Sequence, residues 1–205
     1  MKTGFKIIGV AILIAVAFVG WRMHEASLRA RRAGLISENI VHEGDTWKAD
    51  FTARIPAPEA IVFATMRDVE KAHNDHVKSV KIVSESGNSK TVQMDLSGFG
   101  GQTMTVEMEF HYFPGQRKIT YRTLSSPMMD AAGAYVLNGG GGGTRIDYSE
   151  TVKRVPNQFP EAVVKEVIRA IFVAQLEALE HALHISTAAE TDTGDQEPVF
   201  PASSW

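Results

Sequence analysis

The sequence predicts an α+β fold: a curved antiparallel sheet of about seven strands whose apolar face is covered by one long C-terminal helix. Three observations predict it. From Thr46 apolar residues recur at every second position. Between Val80 and Val152 short alternating runs follow one another at hairpin spacing, separated by Gly, Pro and Asn. Beyond Pro156 the apolar period lengthens to that of a helix. The chain has 205 residues, 44% of them hydrophobic, which suits a folded domain and argues against wholesale disorder. It contains no cysteine, so disulfides, thiolate metal sites and a Cys nucleophile are excluded.

The N-terminus comes first. Ile7 to Trp21 reads IIGVAILIAVAFVGW, without a charge. As a helix rising about 1.5 Å per residue it spans roughly 22 Å, short of a hydrocarbon core about 30 Å thick. Phe5 and Met23 extend it if Lys6 snorkels, and Lys2, Trp21 and Arg22 suit the two interfaces. Residues 1–22 are therefore expected to be an N-terminal transmembrane anchor, with residues 5–22 in the bilayer. Two other readings stay open: a signal peptide cleaved at Ala15-Val16-Ala17, and a buried core helix. A single-pass placement fits a bacterial inner membrane. The side of the body is open, because Lys2 and Lys6 oppose Arg22, Arg29, Arg31 and Arg32.

The net charge of -3 hides a split. Residues 1–36 carry six basic and one acidic side chain, giving +5; residues 37–205 carry fifteen and twenty-three, giving -8. Basic residues thus gather beside the apolar run, and an acidic body disfavours nucleic acid. Residues 23–43 read as a basic juxtamembrane linker, and the domain is expected over residues 44–185.

Trp47, Ala49, Phe51, Ala53 and Ile55 alternate with polar partners and make the first strand. Pro56-Ala57-Pro58 stops it, and Glu59 opens a short helix with Ile61, Val62 and Met66. A second short helix is expected near Asp68–Asn74. Val80 and Ile82 mark the next strand, and Val92, Met94 and Leu96 another, with Gly87-Asn88 between them. Met104, Val106, Met108, Phe110 and Tyr112 share one face of a longer strand, whose other face is polar. Pro114-Gly115 turns the chain into Lys118–Leu124, where Ile119 and Tyr121 face inward. Ala131–Leu137 and Thr144–Val152 form the last hairpin, around Asn138 and Gly139–Gly143. Val164, Ile168, Phe172, Leu176, Leu179 and Leu183 then give a helical stripe ending near His184. Residues 186–205 hold four acids, two prolines and no Lys or Arg, and read as a disordered acidic tail.

The stretch ARIPAPEAIVFATMRDVEKAHNDHVKSVKIV resembles the opening of the START-like (SRPBCC) superfamily, and GGGGGTRIDYSETV resembles its last hairpin. That group includes polyketide cyclases and dehydrases, lipid-transfer START domains and birch-pollen-allergen-like proteins. The resemblance covers about residues 46–184 and implies the helix-grip fold, with a cavity between the sheet and the long helix. In phase with that face are Met94, Met104, Val106, Met108, Phe110, Tyr121, Tyr135, Ile146 and Tyr148, joined by Ile168 and Phe172 from the helix. Unbranched methionines adapt to a flexible apolar ligand, although a packed core would read the same way.

Glu150 is the informative misfit: it falls in phase with Ile146, Tyr148 and Val152. A lone buried carboxyl must be paired, hydrogen-bonded or protonated. It could orient a ligand's polar head or act as a general acid or base, and no other residue stands out as a catalytic candidate. The alternative places it at an exposed strand end, paired with Lys153 or Arg122. The glycine run lacks the Gly-Lys-Ser/Thr of a phosphate loop and links two strands, so it reads as a hairpin. Phe99, within Gly98-Phe99-Gly100-Gly101, could gate a cavity mouth. His73 with His76, and His181 with His184, have ligand spacing but lie near element ends, so neither a metal nor a cofactor is expected.

These features favour a membrane-tethered domain that binds or transfers a hydrophobic small molecule, lipid or isoprenoid-like, with no nucleic acid. Two alternatives are a cyclase- or hydratase-like enzyme using Glu150, and a non-catalytic assembly factor with a protein partner for the acidic tail.

Overall fold

Alternating side chains build a single antiparallel sheet. In the computed structural model, β1 (Leu35–Glu43) and β2 (Thr46–Ile55) are followed by helix α1 (Glu59–Arg67). Strands β3 (Val77–Ser86), β4 (Ser89–Ser97), β5 (Thr103–Phe113), β6 (Lys118–Ser125), β7 (Asp130–Gly140) and β8 (Gly143–Lys153) precede helix α2 (Glu161–Asp192). The strand order is β1-β2-β8-β7-β6-β5-β4-β3. From β3 to β8 the chain is a meander, and β2 closes against β8 with Phe51 opposite Tyr148.

The structure describes residues 30–31, 33–69, 77–97, 103–127, 130–153, 155 and 160–192. The expected anchor, most of the expected second helix, His73, His76, the segment around Phe99, and residues 193–205 lie outside them. Among the described residues no helix is long and apolar enough to cross a membrane.

Two element boundaries differ from expectation. The sheet has eight strands where the periodicity suggests seven, because Leu35–Glu43, expected within the basic linker, is β1. It is an edge strand whose residues are mostly exposed; of its apolar residues only Leu35 and Ile40 pack on the core, while His42 stacks on Trp47. An edge strand with two separate apolar contacts leaves no alternating row to read. Helix α2 runs to Asp192 rather than ending near His184. Residues 185–192 contain neither Gly nor Pro, so nothing local stops the helix there.

Helix α2 buries the stripe read from sequence: Val164, Ile168, Phe172, Leu176, Leu179 and Leu183 are all in the core. Phe172 stacks on Phe51 with ring centres 4.5 Å apart, and on Tyr148 at 4.8 Å. Its polar side is tied to the edge strand. His42 of β1 meets Glu161 at 3.0 Å, and Arg169 bridges Glu38 of β1 and Glu166. Such exposed pairs contribute only up to about 1 kcal/mol each, so the apolar stripe carries the docking and the ion pairs set its register. The last hairpin closes through Gly141 and Gly142, both with positive φ (58° and 79°), which fits a tight turn that residues with a Cβ adopt only at a cost.

Candidate ligand-binding face

The chain has four tyrosines, and all four are buried on the helix-facing side of the sheet: Tyr112, Tyr121, Tyr135 and Tyr148. Strand register explains why three of them meet. One cross-strand row reads Phe51 (β2), Tyr148 (β8), Tyr135 (β7), Ile119 (β6) and Tyr112 (β5). The next row reads Ala49, Glu150, Gly133, Tyr121, Phe110, Lys90 and Glu85. Period-two alternation sends every one of these side chains to the same face.

Within the second row Gly133 matters most. A Cβ built there would stand 2.8 Å from the Tyr121 hydroxyl and 2.6 Å from the carbonyl oxygen of Ser149. A glycine inside a strand often marks a close approach, and here it lets the Tyr121 ring cross β7. Its hydroxyl lies 2.5 Å from that of Tyr148 and donates to Glu150 Oε1 at 2.6 Å. Tyr135 donates to Gln175 Oε1 of α2 at 2.8 Å, joining sheet to helix. The three rings pack on one another, with the Tyr135 and Tyr148 centres 4.7 Å apart and Tyr121 within 6.3 Å of both.

Glu150 therefore faces the tyrosines, and Arg122 pairs with Glu109 at 2.6 Å instead. The residue as a whole keeps some exposed surface, but its carboxyl is largely removed from water. Burial raises its pKa above the usual 4.5, and the hydroxyl pair, Tyr121 directly and Tyr148 behind it, offsets only part of that rise. Burial, followed by nearby tyrosine or Glu150 charge, likewise raises the pKa of all three tyrosines, which stay protonated.

The other expected lining residues divide into two groups. Ile146, Ile168 and Phe172 are buried with the tyrosines. On β4 and β5, Met94 pairs with Val106 and Val92 with Met108 across the ladder. Val106 is buried, whereas Met94, Met104, Met108 and Phe110 are half-buried. The ring contacts of Phe172 and the polar ties of Glu161, Arg169 and Gln175 fall on β1, β2, β7 and β8. The methionine-bearing strands form the other half of the sheet.

Sequence reasoning did not single out Gly133, Ala49, Gln175 or the buried Lys90, which pairs with Glu85 at 3.5 Å. Gly133 carried a signal, being a lone glycine inside a strand pattern. Lys90 carried one too, since it precedes Val92 by two residues and shares its phase. His181 and His184 are exposed, and among the described residues no group of side chains could hold a metal ion.

The family model for polyketide cyclase / dehydrase and lipid transport proteins matches residues 46–184, more than half of the chain. The chain belongs to this family. Comparison with curated protein sequences found no significant match. Several solved structures share its fold. TTHA0849 from Thermus thermophilus superposes with a TM-score of 0.62 at 17% identity, covering 68% of this chain and 98% of that one. A START superfamily protein from Mycobacterium smegmatis gives 0.55 at 15% identity, covering 65% and 94%. The Zhui aromatase/cyclase from Streptomyces sp. R1128 gives 0.50 at 17%, covering 65% and 93%. Eight antiparallel strands under a long C-terminal helix are the helix-grip architecture expected, and family and fold are consistent with binding of a hydrophobic small molecule.

Proposed function

We propose that this family member is a membrane-tethered domain that binds, presents or transfers a hydrophobic small molecule, lipid or isoprenoid-like, between the sheet and α2. One observation carries the reading. A single sheet face joins half-buried, adaptable apolar side chains (Met94, Met104, Met108 and Phe110) to a buried polar cluster at Tyr121, Tyr148 and Glu150. An apolar surface with a few convergent polar groups is the usual composition of a small-molecule site. The tether rests on the uncharged run Ile7–Trp21 with its basic flanks. A tether would hold the site within a linker's reach of the bilayer and raise its effective concentration there.

Mass spectrometry of an organic extract of the purified protein tests the binding reading. A co-purifying apolar molecule that is lost on Met108→Glu is the expected result. An extract indistinguishable from that of an unrelated protein would count against it. Fractionation of cells expressing the full chain, with and without residues 1–22, tests the tether: the full chain should sediment with inner membrane and the truncated chain should not.

The position of Glu150 favours a second reading, a cyclase- or hydratase-like enzyme in which Glu150 moves a proton with Tyr148 or Tyr121 beside it. Turnover of the co-purifying molecule that survives Glu150→Gln unchanged would eliminate that role.

A further inference from the structure

The hydroxyl protons of the cluster can be followed one by one. Tyr135 donates to Gln175 Oε1, and Tyr121 donates to Glu150 Oε1. Since Tyr121 has given its only proton to the carboxyl, the contact between the Tyr121 and Tyr148 hydroxyls needs Tyr148 as donor. Donation therefore runs from Tyr148 through Tyr121 and ends on Oε1 of Glu150. If the carboxyl holds a proton of its own, that proton sits on Oε2, because Oε1 is already an acceptor.

The surroundings favour the protonated acid. From β6, β7 and β8 the carboxyl faces Tyr121, Tyr135 and Tyr148, and from β2 its ladder partner is Ala49. The group that α2 adds to the cluster, Gln175, is uncharged. Among the described residues no cation counts among the influences on Glu150, and its pKa is raised chiefly by burial. A carboxylate here would be a desolvated anion supported by hydroxyl groups alone. Its two ladder neighbours, Gly133 and Ala49, add no charged group, the Tyr121 ring lies over Gly133, and Glu150 itself keeps some exposed surface through which a ligand can reach it.

We propose that Glu150, oriented by Tyr121 and Tyr148, donates a hydrogen bond to a carbonyl oxygen of the bound molecule, so that this site selects apolar ketones and related carbonyl compounds over hydrocarbons of the same shape. This deepens the apolar-ligand reading and rests on it. Gly133 is then a positioning residue: it touches no ligand, but any larger side chain there pushes the Tyr121 hydroxyl away from Glu150. A protonated carboxyl donates where a carboxylate can only accept, so the selectivity belongs to the pH range below the folded-state pKa of Glu150 and disappears above it.

The test uses the full chain in detergent and a matched pair of probes, 1-acetylnaphthalene and 1-ethylnaphthalene, which differ chiefly in a carbonyl oxygen. The ketone should bind the wild-type protein about tenfold more tightly than the hydrocarbon at a pH below the folded-state pKa of Glu150, the ratio expected from one hydrogen bond to a largely buried carboxyl. That ratio should fall toward one as pH rises. Glu150→Gln keeps a donor that does not titrate, so it should retain the preference and lose its pH dependence; Glu150→Leu should lose the preference at every pH. Gly133→Ala should reduce the ratio while leaving the hydrocarbon's affinity nearly intact. An infrared band of a protonated carboxyl that persists above pH 4.5, missing in Glu150→Gln, supports the same proton without any ligand. Equal affinity for both probes in the wild type would overturn the carbonyl proposal and leave the apolar site standing. Failure of both probes to bind would overturn both.

Discussion

Two buried tyrosine environments sit one strand apart on the same sheet face. Tyr121, Tyr135 and Tyr148 pool their hydroxyls with Glu150 and Gln175. Tyr112, only 1% exposed, has a hydroxyl with no hydrogen-bond partner among the described residues. The guanidinium of Arg67 stands 5.8 Å from its ring centre, and its backbone N–H is held by Asn88 at 2.8 Å. Burial raises the Tyr112 pKa, so this hydroxyl stays protonated and unmatched. Both environments bury tyrosine rings, but in one the polar atoms are reconciled with burial by each other and in the other they are not. The difference shows that a buried hydroxyl is stabilised by its partners, not by the ring that carries it.

Substitutions can break this contrast or sharpen it. Phe172→Ala should have the largest effect, because it removes the ring that stacks on both Phe51 and Tyr148. A loss of about 3–5 kcal/mol in denaturant unfolding is expected. Gly133→Ala should cost about 1–3 kcal/mol, since both the Ser149 carbonyl and the Tyr121 hydroxyl must give way to the added methyl. Tyr148→Phe should cost about 1 kcal/mol, the net value of a hydrogen bond, because Tyr121 keeps its bond to Glu150. Tyr112→Phe should be neutral or slightly stabilising, for it deletes a hydroxyl that has no partner among the described residues. If the two Tyr→Phe changes cost the same, the contrast between the two environments is wrong.

A pH series separates Glu150 from the rest. Its folded-state pKa lies above the unfolded value near 4.5, so between the two the folded protein binds more protons than the unfolded chain. Stability from this group is therefore full at low pH and declines as pH rises through that window. Unfolding free energies of the wild type and Glu150→Gln should diverge in that direction, with the variant gaining relative to the wild type as pH increases. A constant difference across the range would place the carboxyl in water.

Much of this architecture is visible in the residues. The alternation of Trp47 to Ile55 and of Met104 to Tyr112, and the stripe from Val164 to Leu183, each matched a face that is buried or turned inward. Glu150 stood out for the same reason, a polar residue in an apolar phase. What stayed hidden depends on register between distant strands. Nothing local says that Gly133 lies between Tyr121 and Glu150, because that row is set by two separate ladders. Leu35–Glu43 escaped notice because an edge strand buries too little to leave a pattern.

The β2–β8 ladder also has a kinetic consequence. It joins residues 46–55 to residues 144–153, while every pairing from β3 to β8 is between sequence neighbours. Closing a loop of nearly a hundred residues costs entropy before any contact returns it. The meander should therefore assemble first, with β2 and α2 joining it late. Phe51 and Phe172, which cover Tyr148, come from those two late elements, so the ring stack is among the last features to form. Pulse-labelled amide exchange during refolding should protect β5 and β6 before β2, and the reverse order would show that the distant ladder seeds the domain.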